Sequence, residues 1–177
     1  MTMHDKAKQA LFVGRFQPFH LGHLSVVKDA LETEERLIIV IGSAEQNHEP
    51  ENPFTAGERY QMIEGALLKG GVRREQFGII PIRNIDNFIL WTAHVEQYIP
   101  PVYKVYTGSP IVEELYRVHG KYKIQKVKLI SHISGTLIRD KILRDDDSWE
   151  KLVPVRVATL IKQWNGVKRL KMINPEG

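Results

Sequence analysis

Two histidines, His20 and His23, flank a glycine in the segment Gly14-Arg15-Phe16-Gln17-Pro18-Phe19-His20-Leu21-Gly22-His23. Either nitrogen of an imidazole can donate a hydrogen bond, and a protonated ring can oppose negative charge, so the pair suits the handling of phosphate oxygens. Gly22 between them would let the backbone approach a ligand closely. A second segment, His132-Ile133-Ser134-Gly135-Thr136-Leu137-Ile138-Arg139, offers two hydroxyls and then a guanidinium. Taken alone, Ser134 would be only a helix cap and Arg139 only a solvated charge. Taken with the histidines, they would complete a polyphosphate site. The chain has no Cys, which excludes thiol nucleophiles, disulfides and zinc ribbons and fits a reducing compartment. Neither G-x-G-x-x-G nor G-x-x-x-x-G-K-[ST] occurs, so dehydrogenase and P-loop readings have no support.

Chemistry of this kind needs elements that hold both segments together. Apolar runs bounded by turn residues recur at 10–14, 37–42, 77–82, 102–107 and 124–130, with helical patterns between most of them. The run Leu37-Ile38-Ile39-Val40-Ile41 is apolar on both faces, as a parallel strand covered on both sides must be. The pattern predicts an α/β, Rossmann-like doubly wound parallel sheet of about five strands with helices on both faces. The first phosphate segment would open a helix whose apolar face includes Leu24, Val27 and Leu31. Thr55 and Glu58 have capping-box spacing and would open a helix toward residue 68, stopped by Gly70-Gly71. Pro100-Pro101 ends a helical segment at 88–98, and Pro110 suits the first turn of a helix reaching about residue 116. Beyond Thr136 the chain reads as helical, interrupted near 145–147 and at Pro154. This gives a single domain over 1–177, with a core of about 10–144 and a C-terminal helical extension at 145–177 packed on the sheet. Ligands of open α/β sheets bind beyond the carboxyl ends of the strands, where strand order reverses. The loops at 15–23, 43–54, 108–109 and 131–136 should therefore build the site.

The net charge of +4 suits small anionic partners. The basic stretch at 121–128 alternates with apolar residues as an amphipathic strand would, its lysines facing water, and shows no interleaved basic and aromatic pattern. No nucleic-acid partner is expected. No segment approaches the ~20 apolar residues of a membrane span, and residues 1–9 do not read as a secretory signal. A cytoplasmic location without membrane association is the default.

The two phosphate segments resemble the HxGH and ISGTxxR motifs of a nucleotidyltransferase superfamily, here at 20–23 and 133–139. The longer strings GRFQPFHLGH and ENPFTAGER, followed by Trp91 and by Tyr106-Thr107-Gly108-Ser109-Pro110, are similar to the archaeal nicotinamide mononucleotide (NMN) adenylyltransferases over about residues 10–166. The resemblance implies attack by the 5′-phosphate of NMN on the α-phosphorus of ATP, giving NAD and pyrophosphate without a covalent enzyme intermediate. It implies catalytic roles for His20, His23 and Arg139, and ATP binding by Gly14, Arg15, Phe16, Gln17, Gly22, Gly108, Ser134, Gly135, Thr136 and Arg139. NMN would be bound by Trp91, stacked on the pyridinium, and by Asp86 or Asn87 near the carboxamide; on the bare sequence Trp91 would be a core residue. Mg2+ would arrive with the ATP rather than at a metal site of the protein, and a homo-oligomer, often a hexamer, is implied. The chain departs from the family in Arg139-Asp140-Lys141, where an arginine run is common, in Phe88, where relatives often have Asn, and in Thr107-Gly108-Ser109. The alternatives are adenylyl transfer to phosphopantetheine or FMN, and a nucleotide-binding regulator without turnover.

Overall fold

The structure is a computed structural model and describes residues 9–127, 130 and 132–174. The expected alternation yields β1 (Gln9–Gly14), β2 (Arg36–Ile41), β3 (Phe77–Pro81), β4 (Lys104–Thr107) and β5 (Lys123–Lys126). All pairings are parallel and the order is β3-β2-β1-β4-β5. Strand order thus reverses between β1 and β4, which places the ligand crevice beyond Gly14 and Thr107. The expected fifth strand begins at Lys123 and, among the described residues, ends at Lys126. Residues 128, 129 and 131, which that strand and its loop were also expected to include, lie outside the described residues.

The helices are α1 (Leu21–Leu31), α2 (Ala56–Lys69), α3 (Phe88–Glu96), α4 (Pro110–His119), α5 (Gly135–Leu143), α6 (Val155–Gln163) and α7 (Gly166–Ile173). Successive strand side chains point to opposite faces and divide the core in two. Ala10, Phe12, Leu37, Ile39 and Ile41 pack with α1, α2 and α5, whereas Leu11, Val13, Ile38 and Val40 pack with Trp91 and Val95 of α3 and Tyr116 of α4. Sequence punctuation places the helix ends well. Thr55 and Glu58 close their capping box at 2.9 and 3.2 Å, and Gly71, at φ +86°, lies just past the end of α2.

The C-terminal helices differ from expectation in what they cover. They pack chiefly on other helices, α6 against α2 and α7 against α5. The sheet face there is already occupied by α1, α2 and α5, so Val157, Ile161 and Leu170 extend that same core outward. Asn165, at φ 55°, separates α6 from α7, a break that the sequence pattern did not suggest. Asparagine tolerates the left-handed region better than most residues.

Candidate functional site

His20 is the N-cap of α1, and His23 is its third residue. The two histidines reproduce with imidazoles the reciprocal bonding that Ser and Glu usually make at a helix start. His23 N–H donates to His20 Nδ1 at 3.3 Å and His20 N–H donates to His23 Nδ1 at 3.2 Å. Each Nδ1 therefore accepts, and a neutral ring carries its proton on Nε2. The rings stack with centroids 3.5 Å apart. A Cβ on Gly22 would lie 3.1 Å from the His20 ring, so glycine lets the imidazole lie close to the helix backbone. Phe16 and Phe19 enclose His23 at centroid distances of 4.8 and 5.4 Å.

These surroundings correct the idea of a ready-made imidazolium. Burial lowers the His20 pKa to about 4, while burial and the neighbouring His20 hold His23 well below its ordinary value. Both rings are neutral near pH 7 in the ligand-free protein. They are donors through Nε2–H rather than fixed positive charges.

The second segment joins the first directly. Arg139 is buried, donates from Nη1 to the Gln17 carbonyl at 2.8 Å and reaches Thr136 Oγ1 at 3.5 Å. A Cβ on Gly135 would lie 2.8 Å from that same carbonyl, so glycine permits the approach of the two loops. Burial first, then Arg15, lowers the Arg139 pKa. Ser134 caps α5, its Oγ accepting from Leu137 N–H at 3.1 Å, and both Ser134 and Thr136 are exposed.

Several expected residues serve the loop more than its opening. The Gln17 amide pairs with the backbone of Phe54, donating at 2.9 Å and accepting at 3.0 Å. Phe16 is buried at φ 54° and packs against Gly14, where an added Cβ would come within 2.8 Å of its ring. Arg15 is exposed and faces Glu51 at 3.6 Å. Gly108 is exposed and precedes Ser109, which caps α4.

A cavity of about 480 Å³ opens at the strand-order reversal, lined by Gly14, Arg15, Ser43, Asn84, Trp91 and Ser109 with apolar neighbours. Trp91 is both things expected of it: 8% exposed, set edge-to-face on Tyr116, yet lining the cavity. Asp86 and Asn87 are exposed and do not line it, and Asn87 Oδ1 accepts from Ile89 N–H at 3.1 Å as the cap of α3. Asn84, which sequence reasoning missed, lines the cavity instead. Arg59 was missed too, although it ends the string ENPFTAGER. It is fully buried, and its guanidinium reaches carbonyls of both loops that border the cavity.

Residues 11–141 match the family described as cytidylyltransferase-like. The nicotinamide-nucleotide adenylyltransferase of Archaeoglobus fulgidus is 46% identical over 173 residues, covering 94% of this chain and 97% of that protein. The protein of the same name from Pyrobaculum arsenaticum is 42% identical over 165 residues, covering 92% of each. Among solved structures, a bifunctional NMN adenylyltransferase/ADP ribose pyrophosphatase from Francisella tularensis superposes with a TM-score of 0.76 at 24% identity. It shares the fold over 95% of this chain, which spans 53% of that longer protein.

Proposed function

The chain belongs to the cytidylyltransferase-like family and, within it, to the nicotinamide-nucleotide adenylyltransferases, and from that membership we propose how its residues carry the adenylyl group of ATP onto NMN. In the reaction a 5′-phosphate oxygen of NMN forms a bond to the α-phosphorus as the bond to pyrophosphate breaks, giving NAD. The acceptor oxygen is already anionic at neutral pH, so the protein need supply no nucleophile. Its task is to hold two polyanions in line and to meet the charge that develops.

The observation carrying this reading is the joined pair of loops: two imidazoles at a helix N-terminus, tied to the segment that brings Arg139. His20 and His23 would donate from Nε2–H to phosphate oxygens, helped by the free backbone N–H groups of the first turn of α1. An arriving polyphosphate would favour protonation of rings that burial now keeps neutral, so their donation would strengthen as charge accumulates. Arg15 would approach the triphosphate on leaving Glu51, and Arg139 would stabilise the departing pyrophosphate. Ser134 and Thr136 would add hydroxyl donors at the start of α5, with Gly14, Gly22, Gly108 and Gly135 allowing close passage of backbone. Phe16 and Gln17 would act by shaping the loop. Trp91 would present its face to the cationic pyridinium, and Asn84, which lines the cavity, would be better placed than Asp86 or Asn87 to meet the carboxamide.

Among the described residues no group of three or more His, Asp or Glu side chains could hold a metal ion. In this reading magnesium would enter with its ATP, held by the phosphates, and no step is routed through it. Among the described residues no helix is long and apolar enough to cross a membrane. A cytoplasmic location accords with these water-soluble nucleotides. A homo-oligomer would cover Ile89 and Leu90, exposed apolar side chains of α3 that do not line the cavity, and light scattering would count the copies.

Incubating the protein with ATP, magnesium and either NMN or its deamidated form tests the reading. NAD is the expected product from NMN. Turnover only with phosphopantetheine or FMN would move the acceptor assignment, and ATP binding without any product would make the chain a regulator.

A further inference from the structure

Arg59 has no exposed surface, and its hydrogen bonds all go to backbone carbonyls. Nε donates to Thr55 O at 3.3 Å, Nη1 to Arg15 O and Gly42 O at 2.9 Å each, and Nη2 to Ser43 O at 3.0 Å and Gln46 O at 3.4 Å. A guanidinium has five N–H donors, so this set uses every one. Among the described residues no carboxylate lies within salt-bridge distance of it, and burial pulls its pKa down to about 10. A buried charge without a contacting counter-ion is costly, and its position calls for a return elsewhere.

The carbonyls it gathers identify that return. Arg15 follows β1, Gly42, Ser43 and Gln46 follow β2, and Thr55 caps α2. Gly14, Arg15, Gly42 and Ser43 line the cavity at the strand-order reversal. Two neighbouring residues, Phe16 and Ser43, hold positive φ values of 54° and 48°, a region that side-chain-bearing residues leave unless their surroundings fix them. Gly42 N–H also donates to Gly14 O at 2.9 Å, so the two segments that the guanidinium gathers are joined to each other as well.

We propose that Arg59 is a positioning residue for adenylyl transfer, whose five-donor fork fixes the loops after β1 and β2 in the conformation that lines the nucleotide cavity. It touches no substrate. It acts by preventing the Arg15 and Ser43 backbones from relaxing away from the phosphates. The required property is geometry as well as charge, because a lysine ammonium offers three donors at one point and cannot span three segments.

The proposal rests on the adenylyl-transfer reading, so NAD formation by the unaltered chain is measured first; its failure would overturn that reading irrespective of Arg59. Arg59→Lys and Arg59→Ala are then compared with it in the full chain, with kcat, both KM values and the folded fraction recorded. Arg59→Lys should remain folded but lose about 100-fold in kcat per folded molecule, a loss typical of small misplacements in a transfer site, with smaller changes in KM. Adding methylguanidinium at sub-denaturing concentration should restore part of the kcat of Arg59→Ala and none of that of Arg59→Lys. Wild-type kcat per folded molecule in Arg59→Lys would overturn the proposal, as would failure of both variants to fold, which would make Arg59 a folding residue alone.

Discussion

The His23 ring sits among Phe12, Phe16 and Phe19 with its Nδ1 already bonded, so its remaining chemistry lies at Nε2. His23→Ala should lower kcat about 100-fold while raising the KM for ATP much less, as expected of a donor that matters most when charge develops. Equal changes in both would assign it to ground-state binding. The neutral rings also make a statement about acid. Their folded pKa values lie below the ordinary 6.5, about 4 for His20, so the unfolded chain binds protons first as pH falls. The contribution of His20 is fully present above about 6.5 and declines toward about 4, losing about 2 kcal/mol between about pH 7 and about pH 5, and that of His23 is lost in the same direction. His20→Asn keeps an N-cap acceptor while removing one titrating ring, so its melting temperature should vary less with pH than that of the parent. Identical pH dependence would show that His20 does not titrate in this way. For Trp91, Trp91→Phe retains an aromatic face in the α3 core and should raise the KM for NMN selectively. A change confined to ATP would reverse the assignment of the two ends of the cavity.

Elements create this site by how closely their ends approach. The loop after β1 and the start of α5 touch because Gly135 has no side chain where Gln17 O comes near. Gly135→Ala would place a methyl 2.8 Å from that oxygen, so the contact between Arg139 and Gln17 must lengthen. The expected result is a kcat reduced about tenfold, with about 1–2 kcal/mol lost in chemical denaturation. Gly57→Ala is the control in the first turn of α2. Its added methyl would meet only Thr55 Oγ1 at 4.0 Å, so activity should be unchanged and stability equal or higher by up to ~1 kcal/mol. The cap signals at Thr55 and Pro110 were legible because they rely on residues close together in the chain. The contact across Gly135 was not, since the residues it joins are remote in sequence.

Across the whole molecule, apolar packing of the C-terminal extension on α2 and α5 is joined by a partly buried ion pair. Arg169 of α7 grips Glu58 of α2 through both oxygens at 2.7 and 2.8 Å and donates to Pro53 O at 3.2 Å. Burial pushes the Glu58 carboxyl up, but hydrogen bonds from Arg169 and from the Thr55 backbone outweigh it and hold the group below its usual range. Its contribution is therefore present above the unfolded carboxylate pKa and lost as pH falls through the folded one. Arg169→Met should cost about 2 kcal/mol at neutral pH and less in acid, where Glu58 is protonated in either protein; a loss independent of pH would mean that packing, not charge, is what Arg169 contributes. The sequence by itself determined the parallel strands, the loops that must converge, and the two phosphate motifs with the chemistry they resemble, because periodicity, caps and short motifs are local properties of a chain. Only the tertiary structure decided that the histidines bond each other and stay neutral, that Asn84 rather than Asp86 or Asn87 borders the cavity, and that Arg59 bonds to carbonyls of both loops. Those outcomes depend on burial and on contacts between distant residues, and neither desolvation nor the direction of a side chain is encoded in spacing along the chain.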